Sequence, residues 1–234
     1  MADAKKARRV IQTLTGPWEK RNLPRMAAAL PAWINSDHLT LLGILAAVVI
    51  AAGYILTRWS PWWLWLSNAG LIIHWYADSL DGTLARVRHR EREKYGYFVD
   101  HICDAWTTLV LCLGLGMSPL MDMRVALFLC VGYFLLNIYV HVMAYTQKVF
   151  RISYGRFGPT EVRMFIFAAN IVLIFWNPVV TSYGSDPITA VDIAGLALAS
   201  VFVIIFIVSS IRDAVKLDKL DRAKWKCPGD RNDA

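Results

Sequence analysis

Six apolar stretches, each long enough to cross a bilayer, leave this chain little choice of fold. They run over residues 39–57, 62–84, 97–117, 123–146, 162–182 and 188–211. A hydrocarbon core about 30 Å thick takes about 20 residues of helix. Inside lipid only helices and closed barrels satisfy their own backbone polar groups, and apolar runs of this length are helical. Composition agrees, with hydrophobic residues at 56% and charged residues at 18% of the 234, where soluble chains carry about 25% charged residues. Disorder, a collagen-like repeat and a disulfide scaffold are excluded. The four cysteines, Cys103, Cys112, Cys130 and Cys227, are widely spaced. Three lie inside apolar runs and read as buried thiols, neither zinc ligands nor disulfides. The expected fold is an all-α integral membrane protein with six transmembrane helices.

The net charge of +7 points to a membrane and not to nucleic acid, because of where the charges lie. Seven Lys and Arg precede the first span, five lie between spans two and three, four between spans four and five, and seven follow the last. Only Arg58 and Arg124 fall on the other side, a split of 23 to 2. Cytoplasmic segments retain the positive residues, so both termini and these two connections are expected in the cytoplasm. The aromatic run Trp59-Ser60-Pro61-Trp62-Trp63-Leu64-Trp65 suits a headgroup belt on the opposite face. Three regions follow: a cytoplasmic N-terminal segment, 1–38; a six-helix transmembrane domain, 39–211; and a basic cytoplasmic tail, 212–234. From Val10 to Trp18, apolar positions recur about one helical turn apart among basic residues. That is the pattern of a helix lying in the interface against membrane lipids, expected to stop at Gly16-Pro17. A solvated basic tail fits the same residues. The segment is too long and too charged to lead a cleavable signal, so the first span is expected to be retained.

Aspartates break the apolar pattern in one place. Asp78 and Asp81 are three apart near the end of span two, and Asp100 and Asp104 are four apart at the start of span three. Each pair shares a helix face, and antiparallel packing across the short connection brings all four together. An intramembrane Asp costs roughly 2.5–3.5 kcal/mol, so four unpaired would cost on the order of 10 kcal/mol. Facing carboxylates repel unless cations sit between them, and hard divalent cations with oxygen ligands, Mg²⁺ or Mn²⁺, are the natural partners. Such sites complete their shells with substrate phosphates, which points to phosphoryl chemistry. Gly82, Ala85 and Gly96 are small residues that admit a helix or flat ligand close to the backbone. Arg86 lies two turns beyond Asp78, suited to an anionic phosphate.

The run Asp78-x-x-Asp81-Gly82-x-x-Ala85-Arg86, nine residues, then Gly96-x-x-x-Asp100-x-x-x-Asp104 resembles the signature of the CDP-alcohol phosphotransferase family. The resemblance implies six transmembrane helices, a homodimer, a site for two divalent cations, and transfer of a substituted phosphate from a CDP-linked donor to a lipid or other alcohol, releasing CMP. By that resemblance Asp78, Asp81, Asp100 and Asp104 bind metal and Asp104 also acts as base. Gly82, Ala85 and Arg86 would line the cytidine diphosphate pocket, with the site at the cytoplasmic face. Before span one, where relatives carry Pro-Asn, this chain reads Ser36-Asp37-His38-Leu39-Thr40. Asp100-His101-Ile102-Cys103-Asp104 is similar to the form in choline and ethanolamine phosphotransferases, as is Arg156-Phe157-Gly158 followed by Thr160-Glu161-Val162. That similarity implies CDP-ethanolamine or CDP-choline as donor and diacylglycerol as acceptor. The alternative within the family is phosphatidyl transfer from CDP-diacylglycerol to inositol phosphate, glycerol phosphate or serine. Arg151, Arg156 and Arg163 would suit a phosphorylated acceptor.

Other polar residues in the spans have two readings each. His74 lies one turn before Asp78 and either supports the site or is a satisfied buried histidine. Asn137, His141 and Tyr145 form an i, i+4, i+8 stripe on span four, for substrate or for interhelical hydrogen bonds. Glu161 either meets a substrate amine or caps its own helix. His101 rivals Asp104 as base, because its ordinary pKa of about 6.5 lies nearer neutrality. A cation transporter is the alternative outside enzymes, but no inverted repeat or broken helix supports it.

Overall fold

A helix starts, rather than stops, at Gly16-Pro17. The computed structural model describes residues 15–147, 158–176, 178–183, 186–223 and 225, so Val10 to Leu14 lie outside the described residues. Helix α1 (Gly16–Ala28) has Pro17 in its first turn, where the backbone N–H has no intrahelical partner to lose. Trp18, Lys20, Arg21 and Arg25 are exposed on its outer side. Its inner side, Leu23, Met26 and Ala27, packs with Leu39, Leu80 and Leu84.

Then follow α2 (Ser36–Leu56), a single tight turn at Pro61–Trp63, α3 (Leu64–Val87), α4 (Glu93–Gly116), α5 (Met123–Gln147) and α6 (Pro159–Phe175). A hairpin of β1 (Val179–Tyr183) and β2 (Asp186–Thr189) leads into α7 (Ala190–Arg222). Four of these helices, over 36–56, 93–116, 123–146 and 190–222, are long and apolar enough to cross a membrane. The protein is a multi-pass integral membrane protein. The remaining two of the six expected spans fall short for visible reasons. Helix α3 carries Asn68, His74, Asp78 and Asp81 along its length, and α6 has only 17 residues.

The expected fifth span, 162–182, is also cut at its far end. Trp176 is extended, Pro178 cannot continue a helix, and β-branched Val179 and Thr181 pair antiparallel with Thr189 and Ile188, Val180 bulging between them. The fold is therefore helical with one small hairpin. Helix α7 restarts on a reciprocal cap: Thr189 Oγ1 accepts from Asp192 N–H (3.1 Å) while Asp192 Oδ2 accepts from Thr189 N–H (2.8 Å).

Helix α2 is the centre of the bundle, packed against α3 and α4, while α5 packs against α4 and α7. Glycines bring the backbones together. A Cβ on Gly114 would lie 2.6 Å from Ala51 Cα, and one on Gly53 would lie 2.6 Å from Ser67 N. In lipid such close packing, not hydrophobicity, holds helices together. A buried polar chain adds to it, Tyr54 OH donating to Asn170 Oδ1 (3.3 Å) and Asn170 Nδ2 to Asn68 Oδ1 (2.8 Å).

The connection between α3 and α4 turns sharply at His89, φ 52°. Two of its arginines tie it to the turn between α1 and α2. The Arg88 guanidinium donates to the carbonyls of Leu30, Pro31, Ala32 and Ile34, and Arg92 pairs with Asp37.

Candidate active site

Helices α3 and α4 are joined by residues 88–92, so they run antiparallel and bring the end of one beside the start of the other. Helical spacing puts Asp78 and Asp81 on one face, Asp100 and Asp104 on the other. All four carboxylates line one pocket, together with His74, Cys103 and Thr107. Its third wall is the first turns of α2, Leu39, Thr40, Gly43 and Ile44. Each carboxylate is half-buried, and Asp104 feels the negative charge of Asp78, Asp100 and Asp81 and the positive charge of Arg163.

The carboxylates are held individually. Asp81 Oδ2 accepts from Thr40 Oγ1 (3.0 Å) and its Oδ1 from the Gly82 N–H (2.5 Å). Ser36 Oγ donates to the Asp81 carbonyl (2.6 Å), which fastens α2 to α3 at this level. Asp78 Oδ2 accepts from Arg163 Nη2 of α6 at 2.8 Å. His74 Nε2 stands 3.2 Å from Thr107 Oγ1, so this histidine braces α3 against α4 at the pocket wall. Among the described residues no three His, Cys, Asp or Glu side chains form a ready cage for an ion. The donor set nonetheless fits hard divalent cations: four carboxylates in one pocket, with the Arg163 guanidinium paired to Asp78.

The other expected site residues divide clearly. Arg86 is exposed and donates to Thr83 Oγ1 (2.9 Å) on its own helix. Gly82 is exposed, Ala85 half-buried, and a Cβ on Gly96 would meet nothing within 4 Å. Among the described residues Gly82 and Gly96 thus border open space. His101 does not line the aspartate pocket. Its ring stacks on Tyr97, centroids 4.1 Å apart, and stands 4.6 Å from that of His141. Its Nδ1 is 2.6 Å from the Tyr97 carbonyl, an acceptor only, so Nδ1 carries the proton. The Tyr97 hydroxyl is 3.1 Å from His141 Nδ1. Asn137, one turn from His141 on α5, is outside the pocket lining. Arg156 lies outside the described residues. Glu161 meets the first turn of α1: Oε1 accepts from Thr15 N–H (2.9 Å) and Oε2 from Gly158 N–H (2.9 Å).

Sequence reasoning singled out neither Ser36 and Thr40 nor Thr107 as site residues. The only signal for the first two is a pair of hydroxyls one turn apart opening an otherwise apolar span. The pairing of Arg163 with Asp78 had no signal at all.

A bundle with membrane-spanning helices thus gathers four aspartates, from two antiparallel helices, in one pocket. The chain matches the CDP-alcohol phosphatidyltransferase family over residues 33–211 and belongs to it. No individual curated protein matches the chain. Membership makes it a transferase that moves a substituted phosphate from a CDP-linked donor to an alcohol.

Proposed function

We propose that the protein is a six-span, homodimeric enzyme of phospholipid synthesis. It transfers phosphoethanolamine or phosphocholine from its CDP derivative to diacylglycerol at the cytoplasmic face. The observation that carries the phosphotransfer chemistry is the convergence of Asp78, Asp81, Asp100 and Asp104 in one pocket. Two divalent cations, Mg²⁺ or Mn²⁺, held by these carboxylates would supply positive charge to the donor's pyrophosphate and to the departing CMP.

The chain's own residues do the rest. Asp104 takes the proton of the acceptor hydroxyl, whose oxygen bonds to the donor's distal phosphorus as the bond from that phosphorus to CMP breaks. Phosphoryl transfer needs positioning and charge stabilisation more than covalent chemistry, and a pocket half sunk in the bilayer lets a lipid hydroxyl meet a cytosolic nucleotide. Asp104 is favoured over His101 as base because it lines the pocket, whereas His101 sits in the Tyr97–His141 cluster. Thr40 and the Gly82 N–H hold the Asp81 carboxylate, and Arg163 holds Asp78 until phosphate oxygens compete for it. The amino-alcohol donor rests on the similarity of Asp100-His101-Ile102-Cys103-Asp104 to the choline and ethanolamine phosphotransferase form.

One observation favours the second reading, phosphatidyl transfer from CDP-diacylglycerol to inositol phosphate, glycerol phosphate or serine. Arg163 reaches the aspartates from α6, where it would also meet a phosphorylated acceptor. Purified protein supplied in parallel with both donor classes separates the two. CDP-ethanolamine or CDP-choline with diacylglycerol is expected to give labelled phospholipid and CMP. Turnover only with CDP-diacylglycerol and a polar alcohol would transfer the assignment to the second reading.

A further inference from the structure

Two carboxylates outside the aspartate pocket join α1 to α6 by a crossed pair of bonds. Glu161, in the first turn of α6, accepts from Thr15 at the start of α1, from its N–H (2.9 Å) and its hydroxyl (3.0 Å). Glu19, in the first turn of α1, accepts from the hydroxyl of Thr160 in α6 (2.6 Å). Each helix lends an acid to the other's N-terminal turn, where the unpaired N–H groups favour negative charge. Two residues beyond Glu161, Arg163 leaves α6 for Asp78, its side chain only 16% exposed. The third side of the triangle is apolar, with α1 seated on Leu80 and Leu84 of α3, both within the motif.

Resting on the reading that the four aspartates carry the transfer, we infer that Glu161 and Glu19 are positioning residues that deliver Arg163 to Asp78. An arginine side chain gives up rotamer freedom when fixed, and a small rotation of the first turn of α6 would carry its tip off the carboxylate. The crossed bonds to α1 fix that rotation. They also make the site depend on how α1 is seated. Glu161 is therefore neither a substrate contact nor only a cap for its own helix.

The two roles of Glu161 separate with one methylene. Helix α7 shows that an Asp at the third helical position caps well, since Asp192 bonds Thr189 N–H. Glu161→Asp should keep the bond to Gly158 and lose the bonds to Thr15. Full-length protein in lipid nanodiscs would be treated with an arginine-selective dicarbonyl, and Arg163 modification followed by peptide mass spectrometry. Losing a charge-assisted hydrogen bond predicts that Arg163 reacts about tenfold faster in Glu161→Asp and in Glu19→Gln than in wild type. Exposed Arg212 should react equally in all three. CMP release by Glu161→Asp should fall about tenfold in kcat/KM by the same reasoning, with no further loss when Arg163→Gln is added. Unchanged Arg163 reactivity in both variants would overturn the inference, and so would losses that multiply in the double variant. Because the labelling needs no turnover, a wild-type protein inactive on every CDP donor would refute the functional reading and leave the α1–α6 connection standing.

Discussion

Asp81 and Asp78 sit one turn apart on the same helix yet are held in opposite ways. Asp81 is fixed by neutral donors, Thr40 Oγ1 and the Gly82 N–H, which leave its charge available. Asp78 is paired with a cation, Arg163, that the proposed metal site would require to be displaced or shared. Thr40→Val keeps the shape of the α2 wall and removes one hydrogen bond to a carboxylate, worth about 1.5 kcal/mol or more. It should lower kcat/KM for CMP release about tenfold while the protein remains folded. Wild-type kinetics in Thr40→Val would show that α2 only encloses the site. The aspartates were legible in the sequence because the spacing that puts them on common faces is local. The bonds of Thr40 to Asp81 and of Arg163 to Asp78 were not, because they join residues 41 and 85 positions apart. The surroundings of His101 were only half legible: its Nδ1 lies 3.6 Å from Asp100, its neighbour in sequence, but it also meets Tyr97 and, from another helix, His141.

Among the elements, the first four spans read from hydropathy match helices α2 to α5 to within a few residues. The pattern failed where local chemistry overrode it. Pro17 reads as a stop by its missing N–H, yet at the first turn of α1 that N–H is not needed. Residues 178–182 read as the end of the fifth span, but Pro178 and the β-branched residues after it divert the chain into a hairpin with 186–189. Close contacts between helices were invisible to hydropathy, because they depend on which glycine faces which neighbour. Gly114 makes the point testable. Gly114→Val places a side chain against the backbone of Ala51, and overpacking of this kind costs about 1–3 kcal/mol. Thermal unfolding in detergent should show a lowered midpoint, whereas an unchanged midpoint would mean that α2 and α4 are not in backbone contact there.

The whole molecule is organised around one face. Positive residues gather at the ends of the helices that carry the aspartates, and two of them, Arg88 and Arg92, tie the turn beyond Asp81 to the turn before α2. The proposed orientation rests on the same charges, 23 Lys and Arg against 2. In intact cells Cys227 should resist a membrane-impermeant thiol reagent added outside and react once the cytoplasmic side is opened. Reaction from outside would invert the topology and put the pocket on the wrong side for a cytosolic nucleotide. The central claim, that four facing carboxylates exist to hold divalent cations against a CDP-linked donor, is met most directly by following CMP release before and after exhaustive chelation. The account predicts that chelated protein releases no CMP from any donor, that Mg²⁺ or Mn²⁺ restores release, and that folded Asp78→Asn stays silent under both conditions. Undiminished CMP release from the chelated enzyme would contradict it.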